Sequence, residues 1–258
     1  MKKVFWRELG RKNIKNVIFL HGWALNSTVW YLIEQECSKY FHIYLLDLPG
    51  YGRNNAFSSL SLYDMSELIW SSLPKDSILV GWSLGGLVAS MIAANHNSEI
   101  KALVTVASTP CFLEHSNWPG ISLVLLNNFA QQLKINFIST IKKFISIQTL
   151  GSHCINSDLY NFKNMVLKQP MPSISELNSG LNILKNTDLR NSIINIKKPF
   201  FRIYGDLDIL VPKTVIPKIN QLIPNSQYKI IKHASHAPFI SHPKIFSELL
   251  IKFINSIF

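Results

Sequence analysis

Short apolar runs alternate along this chain with stretches of helical period. Residues 16–20, 43–46, 77–80, 102–106, 200–204 and 228–231 are rich in β-branched and aromatic side chains, and turn residues bound them. Runs of this length and make-up predict buried strands. Residues 3–8 fit a further strand that turns at Gly10. Between the strands the period lengthens. Ser27 or Thr28 is the expected cap of a helix that places Trp30, Ile33 and Cys37 on one face. Ser61 caps the next, with Asp64 in its first turn and Met65, Leu68 and Ile69 on its apolar side. Residues 84–93 read as a third helix. Another follows Pro212, and the last opens at Pro243, where proline suits the first helical position.

Strands alternating with helices predict βαβ units and a parallel sheet. From Cys111 to about Thr187 the alternation stops. That stretch reads as helical throughout, carries Phe129, Phe137, Phe144 and Phe162, and is punctuated by Pro119-Gly120 and Pro170-Met171-Pro172. The expected fold class is α/β: a mostly parallel central sheet flanked by helices, with an inserted helical cap. Residues 1–110 and 188–258 form the core, and 111–187 form the cap, entering after about the sixth strand. No internal repeat or low-complexity segment is evident.

Composition narrows the picture. A chain of 258 residues with 47% hydrophobic and 16% charged side chains can bury a sizeable core and is not a disordered type. The formal net charge is +11. The basic residues are mainly lysines scattered along the chain, without the clustered, aromatic-interleaved run that nucleic-acid binding requires. Compositional drift accounts for such a pattern, and a positive surface for an acidic partner is the sharper alternative. Cys37, Cys111 and Cys154 are odd in number and widely spaced, which predicts reduced thiols and no metal set. Glu8, Arg11, Lys12 and Lys15 interrupt the beginning of the chain, and no run approaches the roughly 20 apolar residues of a membrane span. A cytoplasmic protein with no membrane association is expected.

The candidate chemistry begins at Gly81-Trp82-Ser83-Leu84-Gly85, a G-x-S-x-G motif between a predicted strand and a predicted helix. In that context the motif makes a sharp turn that presents a serine hydroxyl at a helix N-terminus. A serine nucleophile needs a base, and the base needs an orienting acid. In chain order the acid follows, then the histidine. Asp206 and Asp208 follow the strand at 200–204. The stretch from Gly205 to Pro212 resembles the G-x-x-D-x-x-V-P pattern of serine hydrolases, a resemblance that implies Asp208 as the acid and leaves Asp206 as a turn residue. The plain alternative for either is a loop aspartate capping the next helix. His236, in the loop after the last strand, is the expected base, with His233 and His242 as surface or capping residues. The backbone N–H groups of Leu84 and Trp23 are the candidate oxyanion donors. His21 reads as structural, and Asp47 reads as a turn-former beside Pro49-Gly50.

These residues resemble those of α/β-hydrolases over nearly the whole chain. The stretches Gly22-Trp23-Ala24-Leu25-Asn26, Asn117-Trp118-Pro119-Gly120-Ile121, Gly180-Leu181-Asn182-Ile183-Leu184-Lys185 and His236-Ala237-Pro238-Phe239-Ile240-Ser241-His242-Pro243 resemble one family more closely. So do residues 80–90 and 102–108. That family is the pimeloyl-acyl carrier protein methyl ester esterases of biotin synthesis (BioH). The resemblance implies a serine carboxylesterase, active without metal or organic cofactor, that frees a methyl-masked carboxylate on a carrier-bound acyl chain. It implies a substrate groove formed by Trp23, Ser83, Leu84 and the segment Phe144-Ile145-Ser146-Ile147-Gln148. It further implies that methyl pimeloyl-acyl carrier protein is both substrate and transient partner of a monomeric enzyme. The family receives its acidic carrier on basic cap residues. Here no arginine lies between Cys111 and Asp188, so Lys134, Lys142, Lys143, Lys163 and Lys168 are the available charges, without arginine's bidentate fork. Asn54 replaces the serine common after Pro-Gly-x-Gly-x. A broad short-chain esterase without carrier dependence and a hydrolase-fold binding protein are the rival readings.

Overall fold

The computed structural model describes residues 4–12, 14–57, 60–147 and 156–257. Its strands are β1 (Trp6–Leu9), β2 (Asn16–Leu20), β3 (His42–Leu46), β4 (Ser77–Trp82), β5 (Ile100–Val106), β6 (Phe200–Gly205) and β7 (Gln227–Ile231). They form one sheet in the order β1-β3-β2-β4-β5-β6-β7. β1 runs antiparallel to β3, and every other pairing is parallel. The fold is thus the expected α/β class. The inner strands are continuous apolar runs because both their faces are covered. β7 lies at the edge and buries only Ile231.

The helices are α1 (Tyr31–Ser38), α2 (Leu62–Ser72), α3 (Leu84–Asn95), α4 (Leu123–Ile135), α5 (Phe137–Ile147), α6 (Asn156–Leu167), α7 (Ile174–Asn186), α8 (Arg190–Ile193), α9 (Ile216–Leu222), α10 (Pro238–Ser241) and α11 (Pro243–Ser256). α1, α10 and α11 pack together, while α3 packs against α2 and α8. Nine of the twelve residues of α3 are buried, which its all-round apolar sequence dictates.

Helices α4 to α7 fall between β5 and β6, one strand earlier than expected. The insertion is also not helical throughout. Residues 111–121 form a small turn closed by the bridges Leu113↔Ile121 and His115↔Trp118. The Trp118 indole N–H donates to the Cys111 carbonyl at 2.9 Å, and Pro119 has no N–H to extend a helix. A third bridge, Cys111↔Asp188, joins the segment's departure to its return.

The first predicted cap also moves. Residues 27–30 form a 3-10 turn ahead of α1, so the cap falls one residue earlier, on Asn26, whose side chain accepts the Thr28 N–H at 3.1 Å. Ser61 caps α2 as expected, accepting the Asp64 N–H at 3.1 Å.

Candidate active site

Strand β4 and helix α3 meet at Ser83. Its backbone stands at φ 54 and ψ −118, outside the ordinary regions for a residue with a Cβ. Such a conformation costs of order 1–3 kcal/mol and survives only where the surroundings enforce it. Three hydrogen bonds do so. The Ser83 N–H donates to the Val106 carbonyl at 3.0 Å. The Ser83 carbonyl accepts from Gly86 N–H and from the Ser108 hydroxyl, both at 2.9 Å. The turn closes because Gly81 and Gly85 have no side chain. A Cβ on Gly81 would collide with the Gly85 carbonyl, and one on Gly85 with the carbonyls of Leu20 and His21.

The loop after β7 brings His236 over this turn. His236 Nε2 lies 2.9 Å from Ser83 Oγ, and Nδ1 lies 2.8 Å from Asp208 Oδ2. The other Asp208 oxygen accepts the N–H groups of Leu210 at 2.9 Å and Val211 at 3.0 Å. All three side chains are buried. The carboxylate is saturated and fixes the imidazole with Nδ1 protonated, so Nε2 faces the serine as an acceptor. Asp206 has no part in this chain of bonds. Its Oδ1 is buried without a hydrogen-bond partner among the described residues.

Trp82 locks the two loops together, a role the sequence reading missed. Its indole N–H donates to the His236 carbonyl at 2.8 Å, and its ring lies edge-on to Phe239 at 5.0 Å. The signal was a large aromatic at the first variable position of G-x-S-x-G. The other two histidines of that region stand apart. His233 is exposed, and His242 occupies the N-cap position of α11 with Nδ1 2.9 Å from Ser241 Oγ.

The loop after β2 packs against the serine. A Cβ on Gly22 would come within 3.2 Å of Ser83 Cβ. Among the described residues, neither the Trp23 nor the Leu84 amide N–H donates a hydrogen bond. His21 ties this loop to the one after β3. Its Nδ1 lies 2.8 Å from the Gly22 carbonyl, and its Nε2 accepts the Leu48 N–H at 2.9 Å. These partners require the neutral ring. Burial pushes the His21 pKa below the ordinary histidine range, against the opposing pull of Asp47 and the Gly22 carbonyl.

The unfolded chain therefore binds a proton at His21 that the folded chain refuses. This contribution to stability is full above about pH 6.5 and is lost as the pH falls from there toward the lowered native value. The urea midpoint should consequently drop more between about pH 7.5 and about pH 5.5 in the wild type than in His21→Gln. Equal drops would contradict the assignment.

Asp47 is the turn-former expected of it, accepting the Ser27 N–H at 2.7 Å and the Arg53 N–H at 2.9 Å. Asn54 does more than replace a serine. It exchanges two hydrogen bonds with the Phe5 backbone and donates a third to the Asp47 carbonyl, so it ties the segment leading into β1 to this loop.

Above Ser83 lies an apolar cavity of only about 20 Å³. Trp23, Phe129 and Phe144 line it, with edge-on ring contacts of 4.8 Å (Trp23–Phe144), 5.8 Å (Phe129–Phe144) and 6.4 Å (Trp23–Phe129). The Trp23 indole N–H donates to the Leu177 carbonyl at 2.8 Å, anchoring the cluster to α7. Among the described residues of the segment 144–148, which are 144–147, only Phe144 reaches this cavity. Ile145 is buried in the helical packing, the Ser146 hydroxyl returns to the Lys142 carbonyl at 3.0 Å, and Ile147 faces a separate outer groove. Consecutive helical residues point some 100° apart, so the four from Phe144 to Ile147 cannot share one wall. Gln148 lies outside the described residues. Phe112, Ile121, Leu126, Phe129, Leu181, Leu184 and Leu210 also line the cavity and were not anticipated.

Neither of the described thiols, Cys37 and Cys111, is a competing nucleophile, since both are buried. Burial pushes the Cys37 thiol up to about 12 and raises that of Cys111.

Residues 15–243 match the family model described as the alpha/beta hydrolase fold. The chain belongs to that family. Its structure superimposes on a bromoperoxidase from Bacillus anthracis with a TM-score of 0.87 at 19% identity, covering 98% of this chain and 95% of that one. An esterase from Exiguobacterium antarcticum gives 0.86 at 19% identity, with the same coverage. An enol-lactonase from Burkholderia xenovorans LB400 gives 0.82 at 16%, covering 98% and 96%. At these identities the likeness is one of fold. The site lies beyond the carboxyl ends of the parallel strands β4, β6 and β7, where open α/β sheets generally bind ligands. Among the described residues, no helix is long and apolar enough to cross a membrane.

Proposed function

We propose that this α/β-hydrolase is a cytoplasmic serine carboxylesterase that cleaves the methyl ester of pimeloyl-acyl carrier protein. One observation carries the reaction class: the unbroken hydrogen-bonded chain Asp208–His236–Ser83, set under an apolar cavity. His236 takes the Ser83 proton as Oγ attacks the ester carbonyl. The tetrahedral oxyanion is held by the N–H groups of Trp23 and Leu84. Methanol departs with the proton from His236. Water, deprotonated by the same ring, then hydrolyses the acyl-enzyme and restores the serine.

The substrate-level reading rests on the sequence resemblance, and the cavity walls support it. Ile121, Leu181 and Leu184 line the space above Ser83, and all three belong to the stretches that carry that resemblance. The small size of the cavity favours a second reading, a broad short-chain esterase. Methanol release from methyl pimeloyl-acyl carrier protein, compared with hydrolysis of short p-nitrophenyl esters, separates the two. A carrier-directed enzyme has the higher kcat/KM on the carrier substrate. The reverse ranking supports the broad esterase.

The acidic carrier would dock on the lysines of the helical insertion. Lys142 and Lys143 are exposed on α5, one turn or less from Phe144. Such contacts chiefly speed encounter with an oppositely charged partner. The double change Lys142→Glu, Lys143→Glu is expected to lower kcat/KM for the carrier substrate by roughly tenfold. The loss should shrink as salt screens the charges. Equal losses on carrier-bound and small neutral esters would point instead to a displaced insertion.

A further inference from the structure

Arg202, in the middle of β6, is only 1% exposed. Arginine does not shed its proton in a protein, and a buried charge is costly unless it is paired. Among the described residues, no carboxylate lies within ion-pair distance of this guanidinium. Its partners are neutral. Nη2 donates to Asn220 Oδ1, Nη1 donates to the Tyr204 hydroxyl at 3.4 Å, and the Tyr228 ring lies 5.5 Å from Cζ. Burial raises the Tyr204 phenol above its ordinary range, so that hydroxyl supplies no negative charge. Arg202 Nε is buried with no hydrogen-bond partner among the described residues.

Arg202 lines a cavity of about 10 Å³ between β5 and β6 and the helices α3, α8 and α9. A space of this size holds about one water-sized occupant. Ser90, Thr105, Ser108 and Thr109 line it too, and all four are buried. Two of their hydroxyls are committed. Ser108 donates to the Ser83 carbonyl at 2.9 Å, and Thr109 donates to the Cys111 carbonyl at 3.1 Å. The Ser90 and Thr105 hydroxyls have no such partner among the described residues. Unmatched donors from Arg202, Ser90 and Thr105 therefore border one small space, and no carboxylate lines it.

We infer that this cavity binds a monatomic anion, chloride being the ordinary one, as the counterion of Arg202. A water molecule would fit the space but brings no charge to the guanidinium. A carboxylate or phosphate brings the charge, but its several heavy atoms exceed the volume. The chain's formal charge of +11 favours uptake of a small anion from solution. Ser108 connects the site to the catalytic turn, because it lines the cavity while its hydroxyl holds the Ser83 carbonyl. The ion stabilises the sheet beneath that turn and takes no part in the reaction, so the inference stands whatever the substrate is.

The test replaces sodium methanesulfonate by sodium chloride or bromide at constant ionic strength and follows the thermal midpoint. Methanesulfonate is too large for the cavity and serves as the reference. The wild type should gain about 3 °C, in a rise that saturates as one site fills. Thr105→Val removes one donor but keeps the branched side chain, and should lose at least half of that gain. Arg202→Met removes the charge and should show none of it. Crystals of the wild type soaked in bromide should give an anomalous peak in the cavity, beside Arg202 Nε. If Arg202→Met does not fold, Thr105→Val and the anomalous map still decide. A midpoint that does not depend on halide, or one that rises equally in the wild type and Thr105→Val, would overturn the proposal. So would bromide peaks confined to the protein surface, which would mean adventitious ions only and a water in the cavity.

Discussion

Ser83→Ala is expected to lower kcat for ester hydrolysis by roughly 10⁴-fold or more, with the thermal midpoint little changed. The argument is positional. Ser83 Oγ is the atom 2.9 Å from His236 Nε2, and the backbone around it is held at φ 54 by bonds that do not involve the hydroxyl. Alanine can keep that backbone, so the loss is one of chemistry and not of fold. The residual rate reports what the Trp23 and Leu84 amides and the binding cavity supply alone. The same variant decides against the non-enzyme reading, because a binding protein of this fold would have no hydrolysis to lose. A wild type active on esters whose Ser83→Ala variant keeps its rate would place the nucleophile elsewhere.

The second large effect is expected at Asp208. Asp208→Asn should cost on the order of 10³ to 10⁴ in kcat, whereas Asp206→Asn should cost little. The hydrogen bonds explain the asymmetry. Oδ1 of Asp208 already accepts two backbone N–H groups, from Leu210 and Val211. An asparagine there must keep its oxygen on those donors, which turns its NH₂ toward His236 Nδ1. The ring then accepts at Nδ1 and carries its proton on Nε2, where it faces Ser83 Oγ and cannot take a proton from it. Asp206 shares no hydrogen bond with the histidine. Single-turnover rates for the two variants at one pH measure the difference directly. The reverse ranking would mean that the acid of this site has been assigned to the wrong aspartate.

Local chemistry made much of the molecule legible in advance. β2 begins and ends where its β-branched run does, and α2 begins after Ser61, because a cap and a strand boundary are written in adjacent residues. Ser83, Asp208 and His236 were singled out from three loops more than a hundred residues apart in places, and the structure brings them into one chain of hydrogen bonds. What depends on how helices pack was hidden. Ile147 and Phe144 are both apolar and one turn apart on α5, yet one faces the outer groove and the other the serine. The apolar period tells which residues leave water, not which neighbour they meet. For the same reason Phe129 and Leu126 could not be assigned to the cavity from the apolar period of α4 alone. The 3-10 turn that shifts the cap to Asn26 and the bridged turn at 111–121 were masked by residues equally at home in a helix start.

The account's central claim is that Ser83 is the residue acylated during turnover. Peptide mapping by mass spectrometry after treatment with a fluorophosphonate tests it most directly. The account predicts a stoichiometric adduct on the peptide containing Ser83, slower adduct formation in His236→Ala, and none in Ser83→Ala. An adduct on any other residue, or one that persists unchanged in Ser83→Ala, would contradict it.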